Sequence, residues 1–230
     1  LTSIAKARWT GCLLNVAEVS SRLVSRNLRV LFFGDSLTLG VGDPTGQGWV
    51  GRAVAACYEH GLAMTAYNLG VRGDTSAHVT LRLAAEALPR IVVGADCRIV
   101  LCTGMNDTIV EDGRQRLSTE ETLAAYARSL EHAASLGVPV LVFGPIPVAE
   151  PSHSKRVARL SRQLDGLCAK TEVPYLGAFT RLQRSTEWTS ALAAGDGEHP
   201  TGHGYQLLAD VAIEVGLLGW FEASEDADRA

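Results

Sequence analysis

The chain has 230 residues, 47% hydrophobic and 20% charged, a balance that supports an ample core and excludes wholesale disorder. Its 25 acidic residues against 21 basic ones leave a formal net charge of −4, which gives no electrostatic reason to expect a nucleic-acid partner. No apolar run approaches the ~18 residues of a membrane-spanning helix, so no integral membrane segment is expected.

Residues 1–27 carry Lys6, Arg8, Arg22 and Arg26 around a weak apolar patch at Cys12, Leu13 and Leu14. Gly11, Asn15 and Glu18 interrupt that patch, so it lacks the apolar stretch of a signal peptide. The segment is expected to be a tail or short helix outside the core. The five cysteines, at 12, 57, 97, 102 and 168, are odd in number and form no CxxC pair. That usage argues against a disulfide framework and suits a reducing compartment, so the expected location is cytoplasmic. Cys57, Cys102 and Cys168 sit among apolar residues and read as small core side chains.

From Leu28 onward short apolar runs alternate with helix-period segments. The run Val30–Phe33 predicts a first strand, followed by Gly34-Asp35-Ser36-Leu37 and a helix over Trp49–His60. Met64–Leu69 predicts the second strand, and Thr75–Leu88 a helix. Arg98–Thr103 predicts the third. Thr119–Leu136 then reads as a helix opened by a capping box between Ser118 and Glu121. A fourth strand is expected over Val138–Phe143. Val157, Leu160, Leu164 and Leu167 follow as a helical stripe, whose basic neighbours Lys155, Arg156, Arg159 and Arg162 read as a solvated face. Pro174–Leu176 predicts the fifth strand and Gly204–Leu218 the last helix. Residues 28–220 thus read as one α/β domain and 221–230 as a tail. Strands this continuous in apolar residues are buried on both faces, which predicts a mostly parallel sheet with helices on both sides.

Ligands bind open parallel sheets outside the carboxyl ends of the strands. Four of the five loops there pair glycine with a polar side chain. Ser36, at a strand-to-helix junction, is either an N-cap or a nucleophile. His199 supplies a base, and Asp196, three residues earlier, can turn its carboxylate onto Nδ1 and leave Nε2 for the serine. An oxyanion needs preorganised donors: the N–H groups of Ser36 and Gly70, and the Asn106 side-chain amide. Asp35, Asp74 and Asp107 read as loop-shaping residues. Met105, Pro145, Ile146, Pro147 and Val41 read equally as an acyl pocket or as core. His60, His78, His132 and His153 are scattered and suggest no cluster. His199 and His203 have zinc-ligand spacing, but Pro200 and Gly202 argue against a helix there and no third ligand is evident. No metal or organic cofactor is expected. Gly40-Val41-Gly42 does not continue into a dinucleotide fingerprint, no GK[ST] follows, and no G-x-S-x-G occurs.

These blocks resemble the SGNH, or GDSL-type, hydrolases. Gly34-Asp35-Ser36-Leu37, Gly70, Gly104-Met105-Asn106-Asp107 and Asp196-Gly197-Glu198-His199 carry the resemblance, which spans roughly Leu28 to Leu218. It implies a three-layer flavodoxin-like fold with five strands in the order 2-1-3-4-5. It also implies Ser36 as nucleophile, Asp196 and His199 as its partners, and Ser36, Gly70 and Asn106 as the oxyanion hole. The expected activity is cleavage of carboxylic esters or thioesters of small or medium size through an acyl-enzyme. The alternative is a catalytically silent binding or scaffold protein on the same fold.

Overall fold

The computed structural model describes residues 26–223. Residues 1–25 and 224–230, which hold Cys12 and most of both expected terminal segments, lie outside the described residues.

Five strands form the main sheet: β1 (Leu28–Gly34), β2 (Thr65–Gly70), β3 (Asp96–Cys102), β6 (Val140–Phe143) and β7 (Tyr175–Leu176). Two-residue strands β4 (Val110–Glu111) and β5 (Arg114–Gln115) make a separate hairpin, too short to leave a period in the sequence. The order is β2-β1-β3-β6-β7, every pair parallel, which is 2-1-3-4-5 when the sheet's own strands are counted. The fold is therefore the flavodoxin-like α/β arrangement that the sequence implied, with an all-parallel sheet.

Period-2 alternation sends successive side chains to opposite faces. Val30 and Phe32 enter one core with Trp49, Cys57, Leu208 and Phe221, while Leu31 and Phe33 enter the other with Val79, Leu83, Tyr126 and Leu164. The first core is roofed by helices α2 (Gly48–Glu59), α8 (Gly202–Glu214) and α9 (Leu217–Glu222); the second by α3 (Ser76–Ala87), α4 (Thr119–Ser135) and α5 (Pro151–Thr171). Short helices α1 (Ser36–Leu39), α6 (Phe179–Gln183) and α7 (Thr186–Ala193) complete the chain. The Ser118–Glu121 capping box opens α4 as expected, and Glu150 caps α5 ahead of Pro151.

The expected last helix is two helices. Gly216 takes φ 120°, which an L side chain rarely adopts, and the chain turns there before α9. α9 carries the core past the expected boundary at 220, because Phe221 is fully buried. At the other end Arg26 lies just ahead of the expected boundary, and its guanidinium pairs with Asp96 at 2.6 Å. Cys57, Cys97, Cys102 and Cys168 are buried free thiols. Among the described residues no helix is long and apolar enough to cross a membrane.

Candidate active site

β1 ends at Gly34, opposite Gly70 of β2 on one side and Cys102 of β3 on the other. The loops that follow these three strands therefore meet where the chain order reverses. Ser36 opens α1 directly after β1 and is 3% exposed. Asp35 is its N-cap: Leu37 N–H donates to Asp35 Oδ1 at 3.0 Å. So Asp35 shapes the turn, as the sequence suggested, and leaves the neighbouring hydroxyl to other partners. Because α1 has only four residues, few peptide dipoles align there; local N–H groups, rather than a macrodipole, are what this turn offers an anion.

His199 Nε2 lies 2.7 Å from Ser36 Oγ, and His199 Nδ1 lies 2.7 Å from Asp196 Oδ2. A carboxylate only accepts, so Nδ1 carries the ring proton and Nε2 turns its lone pair to the serine hydroxyl. Asp196 Oδ1 also accepts the N–H groups of Glu198 at 3.0 Å and His199 at 2.7 Å, which closes the loop around the carboxylate. Desolvation opposes the Asp196 charge, but these hydrogen bonds and the His199 ring outweigh it and hold the carboxyl at about 2. Ala149 N–H donates to Gly197 O at 2.8 Å and anchors the same loop to the segment after β6.

Gly70 packs against the backbone of α1, where a Cβ would come within 2.3 Å of Leu39 N and 2.8 Å of Asp35 O; no larger residue fits. Its N–H donates to Asn68 Oδ1 at 3.0 Å, while Asn68 Nδ2 donates to Thr38 O at 2.7 Å. Asn106 is buried at the start of a tight 3₁₀ turn ending at Thr108, and one N–H of its amide donates to Asp74 O at 2.8 Å. That bond fixes the amide plane and leaves the second N–H for a ligand. Asp74 pairs with Arg82 at 2.8 Å, and Arg82 donates to Gly34 O at 3.0 Å, so the Asn106 anchor is tied back to the end of β1. Asp107, fully buried, accepts from Ser76 N–H at 2.9 Å and from the Ser76 hydroxyl.

Hydrogen bonds thus join Ser36, His199 and Asp196 directly. Gly70 and Asn106 are joined to them through α1 and through Asp74 and Arg82. Met105 and Ile146, read equally as pocket or core, are core: they are 1% and 2% exposed within the first cluster. His203 is exposed near the start of α8. Burial pushes the Asp35 carboxyl up to about 7, and the nearby Asp107 charge adds to that against the pull of Leu37 N–H. Burial likewise raises Asp107 against the Ser76 hydrogen bonds. His153, one of the histidines that suggest no cluster in the sequence, is buried and its ring reaches Thr108 Oγ1 at 3.0 Å. Its place in the first turn of the helix after the fourth sheet strand, on the same sheet edge as Ser36, was the signal available.

A search by sequence matches none of the curated proteins. Among solved structures, the chain superposes on a member of the lipolytic G-D-S-L family from Veillonella parvula with TM-score 0.68 and 23% identity, covering 82% of this chain and 97% of that one. A lipase/acylhydrolase from Enterococcus faecalis gives TM-score 0.66 and 23% identity over 84% and 96% of the two chains. A catalytic mutant of an acetylxylan esterase from Geobacillus stearothermophilus gives 0.66 and 16% over 84% and 95%. At these identities the likeness establishes the fold. The family model described as the GDSL-like Lipase/Acylhydrolase family matches residues 32–207, most of the chain, and the protein belongs to that family.

Proposed function

We propose that the protein is a serine hydrolase that cleaves carboxylic esters or thioesters of small or medium size through an acyl-enzyme. The observation that carries this reading is the continuous chain of hydrogen bonds, 2.7 Å each, from Ser36 Oγ through the His199 ring to Asp196. Ser36 Oγ attacks the acyl carbon while its proton passes to His199 Nε2, and the carbonyl electron pair moves onto oxygen. Asp196, ionised throughout the neutral range, balances the imidazolium. Collapse of the tetrahedral intermediate expels the alcohol or thiol, which takes the proton back from Nε2. Water then repeats the sequence on the acyl-enzyme and releases the acid.

The oxyanion falls to Ser36 N–H, Gly70 N–H and the free N–H of the Asn106 amide. Gly70 N–H has an internal acceptor in Asn68 Oδ1, so the substrate oxygen must share or displace that bond. Leu39 and Val71, 43% and 42% exposed, flank Gly70 and offer an apolar rim to an acyl or alcohol group.

The test is turnover of p-nitrophenyl esters of graded chain length, with acetylated sugars beside them, and labelling by a fluorophosphonate. Ser36→Ala and His199→Ala should each abolish turnover to a similar degree, because nucleophile and base act as one unit, and Asp196→Asn should cost less. The label should map to Ser36. Near wild-type turnover in Ser36→Ala, or labelling of another serine, would refute the assignment; folding and binding without turnover in the wild type would favour a silent scaffold.

A further inference from the structure

Of the six histidines, only His153 and His199 are buried. A buried imidazole is unfavourable unless its nitrogens find partners. His153 Nε2 lies 3.0 Å from Thr108 Oγ1 and 3.2 Å from Met105 O. The Thr108 hydroxyl already donates to Met105 O at 2.8 Å, and a carbonyl has no proton to give. Nε2 must therefore carry the hydrogen and donate to this pair of acceptors. Met105 and Thr108 bracket Asn106, so the imidazole grips the turn that aims the Asn106 amide. Arg156, one turn further along α5, donates to Thr108 O at 2.8 Å and holds the same turn from the same helix. The other face of the imidazole looks at the second loop of the site: Nδ1 lies 3.7 Å from Glu198 Oε1, and Glu198 stands between Asp196 and His199. One buried ring thus sits between the Asn106 turn and the Asp196–His199 loop.

We propose that His153 is a positioning residue that fixes the Met105–Thr108 turn, and with it the Asn106 N–H, against the Asp196–His199 loop. The proposal rests on the reading of Ser36 as nucleophile and Asn106 as an oxyanion donor. A donor contributes to catalysis only if it already stands where the oxyanion will form, and a displacement near 1 Å forfeits much of its effect. Because the oxyanion develops in the transition state, a loosened turn lowers kcat and leaves KM little changed.

The experiment uses the full chain and a p-nitrophenyl ester that the wild type turns over. His153→Leu, His153→Gln and Thr108→Val are measured alone and on an Asn106→Ala background. His153→Leu should lower kcat by about 10- to 100-fold. His153→Gln, whose amide can still donate to the turn, should restore most of that loss. On the Asn106→Ala background the same substitution should lose little further, since the group it positions is gone. A wild-type kcat in His153→Leu, or an equal loss on both backgrounds, overturns the proposal, the second because it would mark general damage to the fold. If His153→Leu does not fold, Thr108→Val decides: it removes the acceptor hydroxyl at nearly constant shape, should lower kcat only when Asn106 is present, and overturns the proposal if kcat is unchanged. Full loss in Ser36→Ala beside a wild-type rate in His153→Leu sinks this proposal alone. Retained turnover in Ser36→Ala sinks the nucleophile assignment, and this proposal with it.

Discussion

Asp35 adjoins Ser36 yet contributes through its environment. Its carboxyl is raised from the ordinary value of 3.8 to about 7, chiefly by burial. In the folded protein it therefore binds a proton that the unfolded chain releases, and folding stability falls as pH rises through that window. Asp35→Asn keeps an acceptor for Leu37 N–H and removes the charge. Its Tm should match wild type near pH 4 and exceed it increasingly up to about pH 7; a constant difference across that range would show that the carboxyl is not perturbed. Asn106 is tested by kinetics. Losing one oxyanion donor should slow kcat by ~10²–10³-fold with KM nearly unchanged. An Asn106→Ala variant that raised KM at constant kcat would mean that the amide binds the ground state. The hydrogen-bonded set of Ser36, His199 and Asp196 was legible because Asp196 and His199 lie three residues apart in one loop and a GDS stretch follows an apolar strand. The elevated Asp35 carboxyl was not, since desolvation depends on what packs over a residue.

Among the elements, the loop between α1 and α2 is built around Asp43. Its carboxylate accepts Thr45 N–H at 3.0 Å, the Thr45 hydroxyl, Gly48 N–H at 2.8 Å and the Arg52 guanidinium. Tyr205 Oη donates to Val41 O at 2.6 Å and pins the loop to α8. The loop passes beside His199, since a Cβ on Gly42 would lie 3.5 Å from His199 Cβ. Desolvation opposes the Asp43 charge, but Arg52 and the Thr45 and Gly48 donors hold its carboxyl well below the ordinary range. A depressed folded pKa stabilises the fold above the unfolded value of about 3.8, and that contribution is lost as pH falls below it. Asp43→Asn should therefore lower Tm at pH 7 and converge on wild type in strong acid. A deficit that stayed constant into acid would assign the effect to geometry instead of charge. The sequence identified neither this cluster nor the β4–β5 hairpin: a lone aspartate in a Gly-rich loop reads as solvated, and two-residue strands leave no period.

For the whole molecule, the end of the sheet away from Ser36 and His199 is closed by arginines. Arg98, buried near the start of β3, donates to Asp96 Oδ1 at 2.9 Å and to the carbonyls of Trp220 and Ala223, and its guanidinium lies 5.1 Å from the Trp220 ring. Arg26 adds a 2.9 Å bond to Ala223 O. These contacts join β3 to the carboxyl end of α9, where cationic donors satisfy carbonyls the helix leaves open. Arg98→Met keeps the stem but takes a donor from the Trp220 carbonyl and leaves Asp96 and the Ala223 carbonyl to Arg26. It should destabilise by about 1–3 kcal/mol, the usual cost of leaving a buried polar group without its hydrogen-bond partner. At 25 °C kcat/KM should hold, because the loops that carry Ser36, Asn106 and His199 lie at the opposite end of the strands; a matching loss of kcat/KM would show that the two ends are coupled. The parallel sheet and the gathering of the polar loops on one edge were readable from the sequence alone, because buried strands must be continuously apolar and the loops after parallel strands share one edge; the strand order followed from the resemblance that the GDSL-type blocks carry. Only the tertiary structure decided that Met105 and Ile146 are core, that Gly70 N–H already has an acceptor, and that His153 stands behind Asn106. Each of these depends on desolvation or on the exact placement of side chains in the fold, and no local pattern of residues encodes either.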